Sequence, residues 1–105
     1  MALASGYLPA EQAPIFTADD TVLVGNVEII NGDSGTDSAI FNIWYKKHTA
    51  PVAILVSAPN HELLAGEPTT VKLGGKEGLE MDKGDTLLGE GTFGSYLHFT
   101  VNRKT

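Results

Sequence analysis

The feature that most constrains the fold is a two-residue alternation of side chains near the C-terminus, in "SYLHFTVNR". Apolar Leu97, Phe99 and Val101 alternate there with polar or amphipathic Tyr96, His98, Thr100 and Asn102. Successive side chains of a β-strand point to opposite faces, so this pattern predicts a strand with one core face and one polar face. We therefore expect Leu97, Phe99 and Val101 to be buried.

The rest of the chain repeats this kind of segment at short intervals. Twelve glycines and five prolines interrupt it, and no stretch has an apolar stripe of helical period. Further strands are predicted at residues 15–17, 21–30, 39–47, 51–58, 61–65, 69–73 and 86–89. Gly25 is expected to form a bulge that shifts the phase of its strand. About seven to eight short strands at this spacing predict an all-β fold, an antiparallel β-sandwich or jelly roll.

The first 14 residues, "MALASGYLPAEQAP", have neither strand nor helical periodicity. They are predicted to be an extended N-terminal arm, with residues 15–105 forming the β-sandwich domain. Apolar side chains in such an arm suggest a partner surface, since the later strands already supply a core. The predicted partner-binding residues are Leu3, Tyr7, Leu8, Pro9, Ile15 and Phe16.

Composition excludes several functional classes. The chain has 105 residues, a formal charge of -6 and no cysteine. An acidic surface repels phosphate, which argues against nucleic-acid binding. Disulfides and thiolate-bound zinc are ruled out without cysteine. The N-terminus does not resemble a signal peptide and no stretch is long enough to span a bilayer, so we expect no membrane partner and synthesis in a cytoplasm.

The loop "NGDSGTDS" at residues 31–38 contains a tetrapeptide that surrounds the nucleophile of chymotrypsin-like proteases. Ser34 has no histidine before it in the chain, and the length is about half of what that protease fold needs, so Ser34 is not predicted to be a nucleophile. The loop also lacks the EF-hand glycine and glutamate. A looser calcium site that uses Asp33 and Asp37 stays open, but a polar connection between strands is the favoured interpretation.

No other group of residues predicts catalysis, a metal site or a cofactor. The acidic residues Glu77, Glu80, Asp82 and Asp85 are interleaved with lysines and are expected to form a solvated surface. The histidines His48, His61 and His98 lack metal-ligand spacing. Trp44 and Tyr96 offer an alternative, a sugar-stacking platform, although packing at an edge or a subunit contact is favoured.

The order of several segments resembles a known group of viral proteins. "VEIIN" precedes a polar turn, "LAGE" follows later, and "GLEMDKGDTL" leads into a strand before the final alternating strand. Over roughly residues 15–102 this resembles small β-sandwich structural proteins of tailed-bacteriophage virions, including capsid decoration (cement) and tail-associated proteins. The C-terminal "NRKT" departs from the Gly-Glu ending of that pattern.

The resemblance implies a non-enzymatic role in the virion. The expected function is capsid decoration, in which the protein binds the major capsid protein or another virion protein and stabilises the head. The expected assembly is a homo-oligomer, with a trimer favoured, and the arm is its attachment element. A tail, collar or baseplate component and a carbohydrate-binding module for host attachment are the alternatives.

Overall fold

The computed structural model describes residues 2–32, 38–74, 77–92 and 96–104. These residues form short β-strands joined by turns. In chain order the strands are β1 (Ala2–Tyr7), β2 (Ala13–Thr17), β3 (Val22–Asn31), β4 (Ala39–Lys46), β5 (Ile54–Leu55), β6 (His61–Leu63), β7 (Pro68–Lys72), β8 (Leu79–Met81), β9 (Thr86–Gly91) and β10 (Leu97–Arg103). In the residues that the structure describes, no helix is long and apolar enough to cross a bilayer.

The strands form two sheets in which every pairing is antiparallel. In the first sheet, β10 lies between β1 and β3, and both β7 and β8 pair with the other edge of β3. In the second sheet, β9 lies between β2 and β4, and both β5 and β6 pair with β4. The predicted all-β sandwich is confirmed, and the two central pairs, β3 with β10 and β4 with β9, define its middle.

The core between the sheets includes the alternating residues of β10 that the sequence predicted to be buried. Leu97 and Val101 are fully buried and Phe99 is 5% exposed, as expected for the inward face of β10. The predicted bulge at Gly25 is also present, because the β3–β10 register shifts between Asn102 and Arg103. The shift turns both Val24 and Val27 inward, so β3 contributes core residues on either side of the bulge.

The N-terminal segment differs from the expectation. Residues 2–7 are strand β1, which pairs with β10, and residues 13–17 are β2, which pairs with β9. The premise that Leu8 stays outside the core is wrong, since Leu8 is 3% exposed and belongs to the core cluster. The segment is extended, but it joins the edges of both sheets and therefore belongs to the sandwich.

Two glycines of β9 explain how Leu8 enters the core. A Cβ atom at Gly89 would lie 2.8 Å from Leu8 Cδ2, and one at Gly91 would lie 2.5 Å from Leu97 Cδ1. Both positions face inward and are buried. The missing side chains leave the volume that Leu8 and Leu97 fill, so the core is completed from the first residues of the chain.

A buried amide ties the two sheets together at one end. Asn31, the last residue of β3, is fully buried, and its Nδ2 donates to the carbonyl of Leu63 in the second sheet at 3.0 Å. Its backbone carbonyl accepts a bond from Gly66 N at 2.7 Å. Every buried side-chain nitrogen and oxygen of the described residues has a hydrogen-bond partner.

Candidate functional site

A cluster of polar groups surrounds the carboxylate of Asp85, which is fully buried. Tyr45 donates its hydroxyl to Asp85 Oδ2 at 2.8 Å, and the backbone N–H of Asp82 donates to the same oxygen at 2.9 Å. The other oxygen, Oδ1, accepts the backbone N–H of His48 at 2.9 Å and lies 2.7 Å from His48 Nδ1. Asp85 therefore joins the turn before β9 to the loop after β4.

These contacts set the ionisation of the cluster. Burial alone would raise the pKa of Asp85, but the hydrogen bonds from the His48 side chain, the His48 and Asp82 backbones and Tyr45 outweigh it and hold that pKa well below its usual range. Burial, the hydrogen bond to Asp85 and the nearby negative charge raise the pKa of Tyr45 to about 12. Asp85 is thus a carboxylate and Tyr45 a neutral donor at neutral pH.

In a hydrolytic triad, a carboxylate orients a histidine and the histidine activates a serine or cysteine nucleophile. Whether a hydroxyl or thiol lies next to the second ring nitrogen of His48 is therefore the relevant observation. The His48 side chain is 43% exposed and contacts Asp85 through Nδ1. Within the described ranges, no hydroxyl or thiol lies at hydrogen-bond distance from the other ring nitrogen. The contacts of the cluster hold a turn and a loop together.

The acidic residues around this turn do not all form a solvated surface, contrary to expectation. Glu77 and Glu80 are exposed, and the Asp82 side chain is 47% exposed beside Lys47 at 3.3 Å. Asp85 is the exception, because the end of β4 and the start of the following loop, residues 45–48, cover it. Ser34, Asp33 and Asp37 lie outside the described residues. Among the residues that are described, no three His, Asp or Glu side chains are grouped to hold a metal ion.

The predicted partner-binding residues occupy different environments. Leu8 is buried, and Leu3, Ile15 and Phe16 are partly buried against the core. Pro9 is partly buried, whereas Tyr7 is 65% exposed on the outer face of the first sheet. Only Tyr7 of this set is available in full to a partner, and a role for the others in binding would need them to act through the backbone or the sheet edge.

The outer face of the second sheet carries a row of apolar side chains, of which the two end members are exposed and the two central ones partly buried. Pro14 lies opposite Leu88, Leu88 opposite Trp44, and Trp44 opposite Leu55. These four residues, the apolar row, cross β2, β9, β4 and β5 on the outer face. Leu55 is 38% exposed, and Ile54 beside it is 65% exposed. The row could not be predicted from local sequence patterns. Its four residues come from four distant segments, and only the register of the strands places them side by side.

The outer face of the first sheet has a matching row of mixed character. Tyr7 lies opposite His98, His98 opposite Ile30, and Ile30 opposite Pro68. The rings of Tyr7 and His98 meet edge to face with centroids 5.5 Å apart. A shallow depression of about 280 Å³ lies beside this mixed row and is lined partly by the polar side chains Glu28, Thr70 and Thr100.

The two aromatic residues considered for sugar stacking do not belong to one sheet. Trp44 is in β4 of the second sheet and faces outward between the inward Ile43 and Tyr45. Tyr96 directly precedes β10 of the first sheet and is 41% exposed. Trp44 instead packs among the neighbours of the apolar row.

Comparison with known proteins places the chain in no group: no family model, no curated protein and no solved structure matches it.

Proposed function

We propose that this protein is a non-enzymatic structural component of a bacteriophage virion and that it decorates the assembled head. The sequence resemblance described above suggests the class, and the apolar row is the observation that carries the proposal. The row crosses four strands on the outer face of the second sheet, where Pro14 and Leu55 are exposed and Leu88 and Trp44 are partly buried. Large contiguous patches of exposed apolar surface mark sites of interaction with a partner.

The composition of the row suits attachment to a large, repeating partner. Tryptophan at the centre of an interface contributes strongly to binding, and proline adds a rigid contact. Each copy needs only moderate affinity when many copies bind a regular lattice of capsid protein. The second sheet has the core on one side and the apolar row on the other, so the row lies on the outer surface of the sandwich.

The Asp85 cluster fits a structural role within the chain itself. Both carboxylate oxygens of Asp85 accept hydrogen bonds from the same chain, from Tyr45, His48 and Asp82. Such a cluster stabilises the turn between β8 and β9.

Virions that lack this protein provide the test. Purified protein is added to them, and bound copies are counted by quantitative gel analysis and located by electron cryomicroscopy. Trp44→Asp places a charge in the centre of the apolar row and is expected to lower occupancy about tenfold or more. Ile30→Asp is the matched control, since Ile30 is 43% exposed on the outer face of the other sheet.

Binding of wild type and Ile30→Asp to the head, with loss for Trp44→Asp, is the expected result. Density on the tail, collar or baseplate would instead favour the alternative that the protein is a structural component of that part of the virion. Equal occupancy for Trp44→Asp and wild type would remove the apolar row as the attachment surface.

A carbohydrate-binding role is the second candidate because of the depression on the first sheet. Glu28, Thr70 and Thr100 supply a carboxylate and two hydroxyls there, next to Ile30 and Pro68. Hydroxyl-bearing ligands suit such a mixture of polar groups and a small apolar wall. A glycan array probed with wild type and with Thr100→Val tests it: signal that Thr100→Val abolishes would support glycan binding, and no signal would argue against it.

A further inference from the structure

Strand β1 is the outermost strand of the first sheet and has one open edge. Leu8 N–H donates to Leu97 O at 2.9 Å, and the register pairs Gly6 with Phe99. Backbone groups of a strand point alternately to its two sides, so Ala4, Gly6 and Leu8 face β10. The N–H and C=O groups of Ser5 and Tyr7 therefore face the open edge.

The other edge strands carry features that discourage pairing with a further chain. Proline, charge, shortness and bulges are the usual devices. Strand β2 contains Pro14 and a register shift, and β7 begins with Pro68 and ends with Lys72. Strands β5, β6 and β8 have only two or three residues each. These edges are protected in the part of the chain that the structure describes.

Strand β1 has few of these devices. Its six residues, ALASGY, contain neither a charge nor a proline. Its single irregularity lies between Ala2 and Ala4, which leaves Ala4–Tyr7 in regular register with β10. An uncharged, regular edge of this kind is a template for pairing with another strand.

We propose that β1 pairs with β1 of a second copy of this chain, antiparallel about a twofold axis. The outward backbone groups are those of Ser5 and Tyr7. A register that uses the groups of both residues places Ser5 of one copy opposite Tyr7 of the other. Each such pair exchanges both of its N–H···O bonds, and the axis generates the second pair. Gly6 then lies opposite Gly6 of the second copy, in the closely spaced position between these pairs.

The side chains fit this arrangement and favour a second copy as the occupant. Tyr7 and Ser5 are both exposed on the outer face, so a large side chain meets a small one across the interface. Gly6 faces inward over the Phe99 ring and adds no side chain at the axis. The chain carries a charge of -6, and self-association is least opposed where the paired strands are uncharged.

The dimer goes beyond the proposed function and does not depend on it. It uses the edge of the first sheet, whereas the apolar row lies on the outer face of the second. Pairing through β1 would join two first sheets into one continuous sheet and leave both copies of the apolar row open. A failure of virion binding and a failure of dimerisation are therefore separate results.

Sedimentation equilibrium over a wide concentration range tests the pairing, with Ser5→Pro as the main variant. Proline at residue 5 removes an outward N–H and leaves the β1–β10 hydrogen bonds, because those come from the residues on either side. The dissociation constant of the dimer is expected to rise about tenfold or more, since each dimer loses one bond at each Ser5.

Thr70→Pro is the matched control on the opposite edge of the same sheet. Leu73 N–H donates to Gly25 O in the β3–β7 ladder, so the alternation places the Thr70 N–H outward, like that of Ser5. This variant is expected to dimerise like wild type. Circular dichroism and thermal melting establish that both proline variants are folded.

If Ser5→Pro does not fold, Ser5→Lys and Thr70→Lys replace the pair, since a lysine protects an edge without altering the backbone. A wild-type dimer that only the residue 5 variant weakens supports the proposal. A monomer at every concentration, a wild-type trimer, or equal effects at residues 5 and 70 would overturn it.

Discussion

The turn at residues 82–85 and the edge strand β1 both lie at the surface, but their polar groups are satisfied in opposite ways. In the turn, both carboxylate oxygens of Asp85 accept hydrogen bonds from the same chain, from Tyr45, His48 and Asp82. In β1, the backbone groups of Ser5 and Tyr7 point away from the sheet. The carboxylate in the turn is hydrogen-bonded within the chain, whereas the outward backbone groups of the strand can still pair with another chain.

This difference separates stability from interaction. A buried carboxylate with several donors is the kind of group that a fold retains for its own structure. Unpaired backbone groups on a regular, uncharged edge contribute nothing to the isolated chain beyond their contact with water. The same molecule therefore offers a cluster whose changes should alter folding and an edge whose changes should alter assembly.

The largest effect on stability is expected from Leu8→Ala, which tests how much the residue that follows β1 contributes to the core. Leu8 fills the volume next to Gly89, so its truncation should lower the free energy of unfolding by about 2–5 kcal/mol. Chemical denaturation measures the change. Tyr7→Ala, one residue earlier and 65% exposed, is the control and should change it by less than about 1 kcal/mol.

Asp85→Ala should follow, with a loss of about 2–4 kcal/mol. The Tyr45 hydroxyl and the N–H groups of His48 and Asp82 would lose their acceptor in partly buried surroundings. Asp82→Ala is the matched control, because its surface pair with Lys47 is worth little. Similar denaturation midpoints for the two variants would contradict the assignment of Asp85 as the centre of the cluster.

The pH dependence of stability should report Asp85 as well. Its pKa is lowered in the folded protein, so its contribution is present above the unfolded pKa of about 3.9 and is lost as pH falls through the folded value. Stability should therefore decline from about pH 5 downward. Asp85→Asn should show a shallower decline over the same range, and an unchanged profile would exclude Asp85 as its source.

The smallest effect is expected from Tyr45→Phe, at about 0.5–1.5 kcal/mol. The substitution removes one donor to Asp85 Oδ2, and the N–H of Asp82 still donates to that atom. Additivity gives the check: in the Asp85→Ala background the same substitution should cost less, because the shared hydrogen bond is already absent. Full additivity in the double mutant would show that the two groups do not interact.

The sequence predicted the parts of the fold that depend on local pattern. The alternation of Leu97, Phe99 and Val101 fixed the inward face of β10, and Gly25 marked the bulge in β3. Both signals lie within a few residues of the feature that they predict. The all-β class followed from many such segments together with the frequent glycines and prolines.

The parts that the sequence did not predict depend on contacts between distant residues. Asp85 is one of several acidic residues in its segment, and nothing local distinguishes it from the others. Its environment depends on His48, which lies 37 positions earlier in the chain. Leu8 follows a segment without periodicity, and its place in the core depends on Gly89 and Gly91 in β9. The apolar row needs the register of four strands, which no local pattern contains.

Amide hydrogen exchange at low and high protein concentration compares the closed turn with the open edge most directly. The amides of His48 and Asp82 should be protected equally at both concentrations, since their acceptor lies in the same chain. The amides of Ser5 and Tyr7 should exchange freely in dilute protein and become protected in concentrated protein. Free exchange of Ser5 and Tyr7 at both concentrations would contradict the account that this edge binds a second copy.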